Sequence, residues 1–261
     1  MQHCLILVSA LAVSHFASIA YSQQDNAKPP ESREHWRIIY VRGKNIGYVH
    51  DAVETVNRDG KLVVVNQHSS VIDVLLSRRK DGIASDTRSK ITIQSEETTD
   101  GDVLGFRYQV QNSPSATILK EGRVSDGQLQ IQTKANGRVT TKSKDYPNGV
   151  KGPAYADRML LKNPLKANET RVITTFDPRS ANVDTIRFEA RDYENALLQD
   201  GIEKRLLHVV VTHSIAPTQE FHEFLDEEGN SWKTTVPSQD MVVYTTSKET
   251  ALNSFKNIEN P

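Results

Sequence analysis

The sequence predicts a mainly β protein: a large curved antiparallel sheet, as an open half-barrel or meander, with one short mid-chain helix and a short C-terminal helix. Three observations carry that expectation. Val, Ile and Thr number 24, 16 and 20 among 261 residues, a bias toward side chains that suit a pleated, half-buried surface. Turn dipeptides punctuate the chain at Asp59-Gly60, Asp81-Gly82, Asp100-Gly101, Asp126-Gly127, Asn136-Gly137 and Asp200-Gly201, and each tolerates the positive φ angles of a tight hairpin. Between the turns, apolar and polar side chains alternate with period two, the mark of antiparallel strands with one dry face and one wet face.

Taken in order, residues 1–22 read as a secretory signal. Leu5 to Ile19 is an apolar run too short and too interrupted to span a bilayer, and Ala20-Tyr21-Ser22 supplies small residues before a cleavage point. Residues 23–34 read as a polar tether containing Pro29-Pro30. A single β-rich domain over 35–246 follows. Its first part, 35–145, is a meander of about eight strands. Here Leu104, Phe106, Tyr108 and Val110 are expected on one face, as are Ile91 with Ile93 and Leu129 with Ile131. Tyr146 to Gly152 reads as a loop. Pro153 then suits a first helical turn, and Tyr155, Ala156, Met159 and Leu160 share a helical face, which predicts a helix over 153–161 ended by Asn163-Pro164. A second strand set over 170–245 contains Ile186 and Phe188 facing away from Arg187 and Glu189. Thr246-Ser247-Lys248-Glu249 has the form of a capping box and predicts a short helix through Leu252, within a closing segment 247–261.

Composition excludes several function classes. With 32 Lys plus Arg against 33 Asp plus Glu, the chain lacks the basic footprint of a nucleic-acid binder. No segment after the signal is apolar for long enough to form a transmembrane helix. The one cysteine, Cys4, lies inside the signal, so the mature chain is expected to have neither disulfides nor a catalytic thiol.

Motifs that carry chemistry are missing. There is no Gly-x-Ser-x-Gly elbow, and Ser69 beside His68 is an ordinary strand pairing. His208 and His213 are five apart on one strand, so they point to opposite faces. His222-Glu223 has no second histidine at metal-ligand spacing. Gly101 to Gly105 lacks the lysine and the helix of a phosphate loop. Glu96-Glu97 and Glu227-Glu228 are adjacent carboxylates expected at turns, and Arg78-Arg79-Lys80 reads as a solvated hairpin tip. The expectation is therefore no catalytic residues, no metal site and no cofactor, with the ligand-binding residues unassigned. Trp36, Tyr40, Tyr48, Phe106, Tyr108, Phe176, Phe188 and Trp232 are scattered over predicted strands, either as core or as the lining of a groove.

Several stretches together resemble a known family region. These are Trp36 to Tyr40, Gly43 to His50, Gly152-Pro153 with Tyr155, Arg158 to Leu161, Pro164 to Lys166, Thr175 to Pro178, Leu225 to Asn230, Trp232 to Thr234 and Thr246 to Leu252. They are similar to the N-terminal β-rich region of planctomycete-type secreted transglutaminase-like proteins. In those proteins the catalytic Cys-His-Asp domain lies downstream, so the resemblance implies an extracytoplasmic module and carries over no functional residue.

The resulting expectation is an exported, non-catalytic β-domain, in the periplasm, at the cell surface or outside the cell, that binds or assists another exported protein. A carrier of a lipid or other hydrophobic ligand in a half-barrel groove is the alternative. An unrecognised metal-dependent enzyme, built from His50, His68 and His222, is the second alternative.

Overall fold

A computed structural model describes residues 32–75, 86–113 and 116–259. The signal segment, the Arg78-Arg79-Lys80 tip and the Asp81-Gly82 turn lie outside the described residues. The first eight strands are β1 Arg33–Val41, β2 Lys44–Arg58, β3 Lys61–Leu75, β4 Asp86–Thr98, β5 Val103–Ser113, β6 Ala116–Ser125, β7 Gln128–Ala135 and β8 Arg138–Asp145. Helix α1, Pro153–Lys162, leads to β9 Thr170–Asp177, β10 Asn182–Leu197, β11 Glu203–His213, β12 Ala216–Leu225 and β13 Ser231–Val236. A 3₁₀ turn, Pro237–Gln239, precedes β14 Met241–Thr246 and helix α2 Lys248–Glu259.

All fourteen strands belong to one sheet, in the order β8-β7-β6-β5-β4-β3-β2-β1-β14-β13-β12-β11-β10-β9. The first and last strands meet in its middle, with Trp36 opposite Thr246 and Val41 opposite Met241. The chain leaves the sheet at one end, β8, and re-enters at the other, β9. Residues 146–152 and α1 make that passage.

The sheet is rolled but not closed. Lys151 bridges Asp102, at the start of β5, and Thr175 on β9. The Lys151 amide donates to Thr174 O, the Phe176 amide donates to Lys151 O, and the Gly152 amide donates to Gly101 O. The far end of the sheet is thereby fastened to its β4–β5 corner, and β5–β7 lap over it. Val103, Phe106 and Leu129 pack against Phe176 and Ala181 in one buried cluster. The Phe106 and Phe176 rings lie 5.0 Å apart. Lys120 and Lys144 reach across the lap to donate to the carbonyls of Arg179 and Ala181.

Inside the roll, Ile39, Val49, Phe188, Leu207, Val209, Val211, Leu225 and Met241 form the main core, with Ala156 and Leu160 of α1 packed among them. Each large side chain buried this way contributes about 1.5–3 kcal/mol. On the outer face α2 lies over β1 and β2, burying Ile38 and Ala251.

Several boundaries differ from the sequence reading, each for a local reason. Strand β1 starts at Arg33, inside the expected tether, because Arg33 and Glu34 pair with Val53 and Ala52. Leu104 is exposed while Val103 is buried, since a bulge at Glu96/Glu97 sets Val103 opposite Glu97 and shifts the alternation. Helix α1 buries Ala154, Ala156, Asp157 and Leu160, whereas Tyr155 and Met159 stay half-buried. Tyr155 instead covers Gly101, where a Cβ would come within 2.3 Å of the ring. The cap of α2 is Ser247, whose Oγ accepts from the Thr250 amide at 3.1 Å, and the helix runs on to Glu259. Among the described residues no helix is long and apolar enough to cross a membrane.

Phe176 is the wedge of the lap, touching both the Phe106 and Tyr146 rings. Phe176→Ala is expected to cost about 3–5 kcal/mol, read as a lowered urea midpoint in equilibrium unfolding.

Candidate functional site

Strand alternation places polar groups inside the roll as well as apolar ones. Arg37 is in phase with Ile39, Asp51 with Val49, Ser95 and Glu97 with Ile91 and Ile93, and Asp184 with Ile186. All of these are buried. A charge in such a position is tolerated only when it is paired and hydrogen-bonded, and three buried carboxylates meet that condition in different ways.

The first is Asp51 on β2, which is fully enclosed. Arg37 of β1 pairs with its Oδ2, and Nδ1 of His68 on β3 lies 2.6 Å from its Oδ1. Register explains the meeting, because Asp51 sits opposite His35 on one side and His68 on the other. Burial pushes the Asp51 carboxyl up, but Arg37 and His68 outweigh it and hold the group below the ordinary carboxylate range. Next to it, burial and then Arg37 push His35 down to about 4, so its imidazole is neutral at pH 7.

The second is Glu97 at the end of β4. Its Oε1 accepts from the Ala154 amide in the first turn of α1 and from Ser95 Oγ, both at 2.9 Å. Arg158, one turn further along the helix, reaches Oε2 at 3.3 Å and donates to Thr99 O at 2.9 Å. The contact is close enough to require glycine at 152, where a Cβ would lie 2.2 Å from the Glu97 carboxyl carbon. Burial outweighs these donors and raises Glu97 to about 7. Glu96, expected with Glu97 at a turn, lies instead on β4 and points the other way to Arg58, 2.6 Å distant.

The third is Asp184 on β10. His213 Nδ1 lies 2.6 Å from its Oδ2, Ser214 Oγ donates to Oδ1 at 2.9 Å, and the Ile215 amide donates to Oδ1 at 3.3 Å. Burial raises the Asp184 carboxyl, but the bonds from His213 and Ser214 bring it below its usual value. A serine, a histidine and an aspartate thus lie together, but not as a nucleophilic triad. Ser214 Oγ is bonded to the carboxylate and accepts from the Thr185 amide at 2.8 Å, whereas a triad aligns the hydroxyl on the imidazole. The set pins the β11–β12 turn to β10.

The outer face carries aromatic and histidine pairs. His50 stacks on Trp36 at 4.1 Å and pairs with Glu34. His208 Nε2 and His222 Nδ1 are 2.9 Å apart, and the His208 ring stacks on Phe224. Lys233 lies over the Phe224 and Tyr244 rings, and Lys204 sits 3.6 Å above Trp232.

The structure therefore separates the three histidines of the enzyme alternative. His50 is on the outer face of β2, His68 is bonded to Asp51 within the roll, and His222 is on the outer face of β12, five strands away from β3 in the sheet order. Among the described residues no group of three or more His, Cys, Asp or Glu is placed to hold a metal ion. His208 and His213 do lie on opposite faces, the one stacked outside and the other bonded to Asp184. The aromatics divide: Phe106, Phe176 and Phe188 are core, while Trp36, Tyr40, Tyr48 and Trp232 are half-buried on strands outside it. The sequence reading missed Arg37, Asp51 and Asp184 as buried groups and placed Glu97 at a turn. The available signal was a charged residue occupying an apolar phase of an alternating strand.

No protein-family model matches this chain, and no curated protein does. Among solved structures, the chain is similar to a β-barrel-like protein of a domain of unknown function, DUF1849, from Brucella abortus. The TM-score is 0.51 at 11% identity, over 82% of this chain and 94% of that one. The likeness is one of fold.

Two outcomes follow for the buried carboxylates. Because the folded protein holds the Glu97 proton to about pH 7 while the unfolded chain releases it near the ordinary value of 4.5, stability falls as pH rises through that window and levels off above it. The change is on the order of 3 kcal/mol, and Glu97→Gln should remove this part of the slope in unfolding measured across pH. Asp51→Ala leaves Arg37 buried without its carboxylate and should cost about 3–5 kcal/mol, measured by urea unfolding at pH 7.

Proposed function

We propose that this chain is an exported, non-catalytic binding or accessory module. The observation that carries the reading is the use made of the buried ionisable groups. Asp51, Glu97 and Asp184 each accept two or more bonds from neighbouring strands or from α1, which fixes them in fastening the roll. A general acid or base needs a group poised toward a bound substrate, and these three are aimed at the protein's own strands. The resemblance to the region upstream of the catalytic domain in secreted transglutaminase-like proteins agrees with this reading. So does the apolar run of residues 5–19 at the start of the chain, which supports export.

A hydrophobic-ligand carrier has less support. The apolar inner face is taken up by its own side chains, with Phe188, Val209 and Val211 wholly enclosed and Ala154, Ala156 and Leu160 of α1 buried with them.

Activity profiling of the purified exported protein against hydrolase and transferase substrate panels tests the reading. No turnover that depends on a single side chain is expected, and the His50→Ala, His68→Ala and His222→Ala variants should match the parent. Any turnover abolished by one such substitution would overturn it. Native mass spectrometry should show the bare protein mass, and a co-purified lipid mass would favour the carrier instead.

A further inference from the structure

The two ends of the sheet are finished differently. At β9 the outer edge is covered around Thr174–Phe176, because the backbone of Lys151 bonds to Thr174 and Phe176, and Thr175 Oγ1 also donates to Lys151 O at 3.1 Å. At β8, the other end, all eight residues are exposed, and among the described residues β8 pairs with β7 alone. Exposed strand edges are commonly protected by shortness, proline, a bulge, a covering segment or charged side chains, lysine above all. Of these β8 has only its charges, chiefly Arg138, Lys142 and Lys144, which oppose a like-charged strand but not an acidic one. Its pairing with β7 runs without a register shift from Gln128–Asp145 to Ala135–Arg138.

Hairpin geometry shows which backbone groups are available. Asn136 and Gly137 have φ of 49° and 73°, the two positive angles of a type I′ turn, so the flanking residues Ala135 and Arg138 form a hydrogen-bonded pair. In an antiparallel ladder, alternate residues point their N–H and C=O groups to opposite sides. Arg138, Thr140, Lys142 and Lys144 therefore bond to β7, and Val139, Thr141 and Ser143 present theirs outward.

Side-chain charge selects the occupant. Arg138, Lys142 and Lys144 lie on one face of β8. Lys144 is used by the lap, on Ala181 O and Asn182 Oδ1, while Arg138 and Lys142 are exposed. A second copy pairing antiparallel through β8 would oppose like charges. Centred on Thr141 it sets Arg138 against Lys144; centred one residue to either side it sets Arg138 against Lys142, or Lys142 against its own counterpart. Like charges directly opposite each other destabilise a strand pair. An extended segment with a carboxylate at every second residue meets the same cations favourably.

We propose that β8 is a strand-addition edge, and that its partner is an extended acidic polypeptide segment which continues the sheet beyond Val139–Ser143. Main-chain bonds supply the attachment and Arg138 and Lys142 the choice of sign, as in other strand-addition recognition. The proposal rests on the module reading, and its failure is separable from failure of that reading, which turns on catalytic turnover.

The test uses the synthetic peptide (Thr-Glu)4 and its counterpart (Thr-Lys)4 with the intact protein. Titration followed by NMR hydrogen exchange should show the Val139, Thr141 and Ser143 amides slowed by roughly tenfold or more with (Thr-Glu)4, unchanged with (Thr-Lys)4, and the effect weakened by salt. Thr141→Pro removes an outward N–H without touching the β7 ladder and should abolish binding at unchanged thermal stability. The double variant Arg138→Glu, Lys142→Glu should reverse the preference between the two peptides. If the proline variant fails to fold, a peptide N-methylated at alternate residues tested on the parent protein serves the same purpose and should not bind. No binding of (Thr-Glu)4, binding indifferent to Thr141→Pro or to N-methylation, or a parent protein that dimerises and loses the dimer on Thr141→Pro would each overturn the proposal.

Discussion

A sheet of fourteen strands with two ends holds its curvature only if one end is fixed against the sheet's own middle, and residues 150–158 supply that fastening. The backbone of Lys151 lies between Asp102 and Thr175, and two residues later the chain enters α1, whose first-turn amide is bound by Glu97. Arg158 closes the same contact from the next turn. The segment connecting the two halves of the chain is therefore also the segment that fixes the β9 end of the sheet against its β4–β5 corner. The main core inside, the lap of β5–β7 over β9–β10 and the exposure of β8 all follow from where that fastening falls.

Glu97 shows what such a contact costs. A carboxyl enclosed in protein loses its hydration, and here that loss outweighs an amide, a hydroxyl and a guanidinium. Asp51 reaches the opposite balance, because Arg37 and His68 lie directly on its two oxygens. The difference is geometric: Arg37 is buried beside Asp51, whereas Arg158 is partly in water and stands 3.3 Å from Glu97. Polar groups of this kind specify register, since a one-residue slip of β2 would carry Asp51 out of the roll and away from Arg37.

Fastening one end leaves the ends unequal. Strand β9 is fastened at Thr174–Phe176 by backbone from the connecting segment, and β8 projects beyond the lap with all its residues exposed. Catalytic sites gather convergent groups around a substrate; this molecule directs its buried ions into its own walls and keeps a regular, basic strand edge outside. That division suits the binding or accessory role proposed above.

Much of the fold was legible in the chain. Period-two alternation at Ile91–Ile93, Leu129–Ile131 and Ile186–Phe188, together with the Asp-Gly and Asn-Gly turns, determined antiparallel hairpins, because both signals act between residues close in sequence. Pro153 and Asn163-Pro164 bounded α1 for the same reason. Local signals carried no information about which strands outside the hairpins would pair, so the meeting of β1 with β14 came from the tertiary structure alone. So did the bulge that turned Leu104 outward and the inward placement of Arg37, Asp51, Glu97 and Asp184. A charge in an apolar phase is readable along a strand, but its partner sits on another strand or on α1, 14 residues away for Arg37 and Asp51 and 57 for Ala154 and Glu97. The sequence by itself determined the strands and their faces, through steric and hydrophobic preferences that extend over a few residues. Only the tertiary structure decided where the sheet is fastened and which edge stays open, because both depend on contacts between segments that the chain brings together only by rolling up.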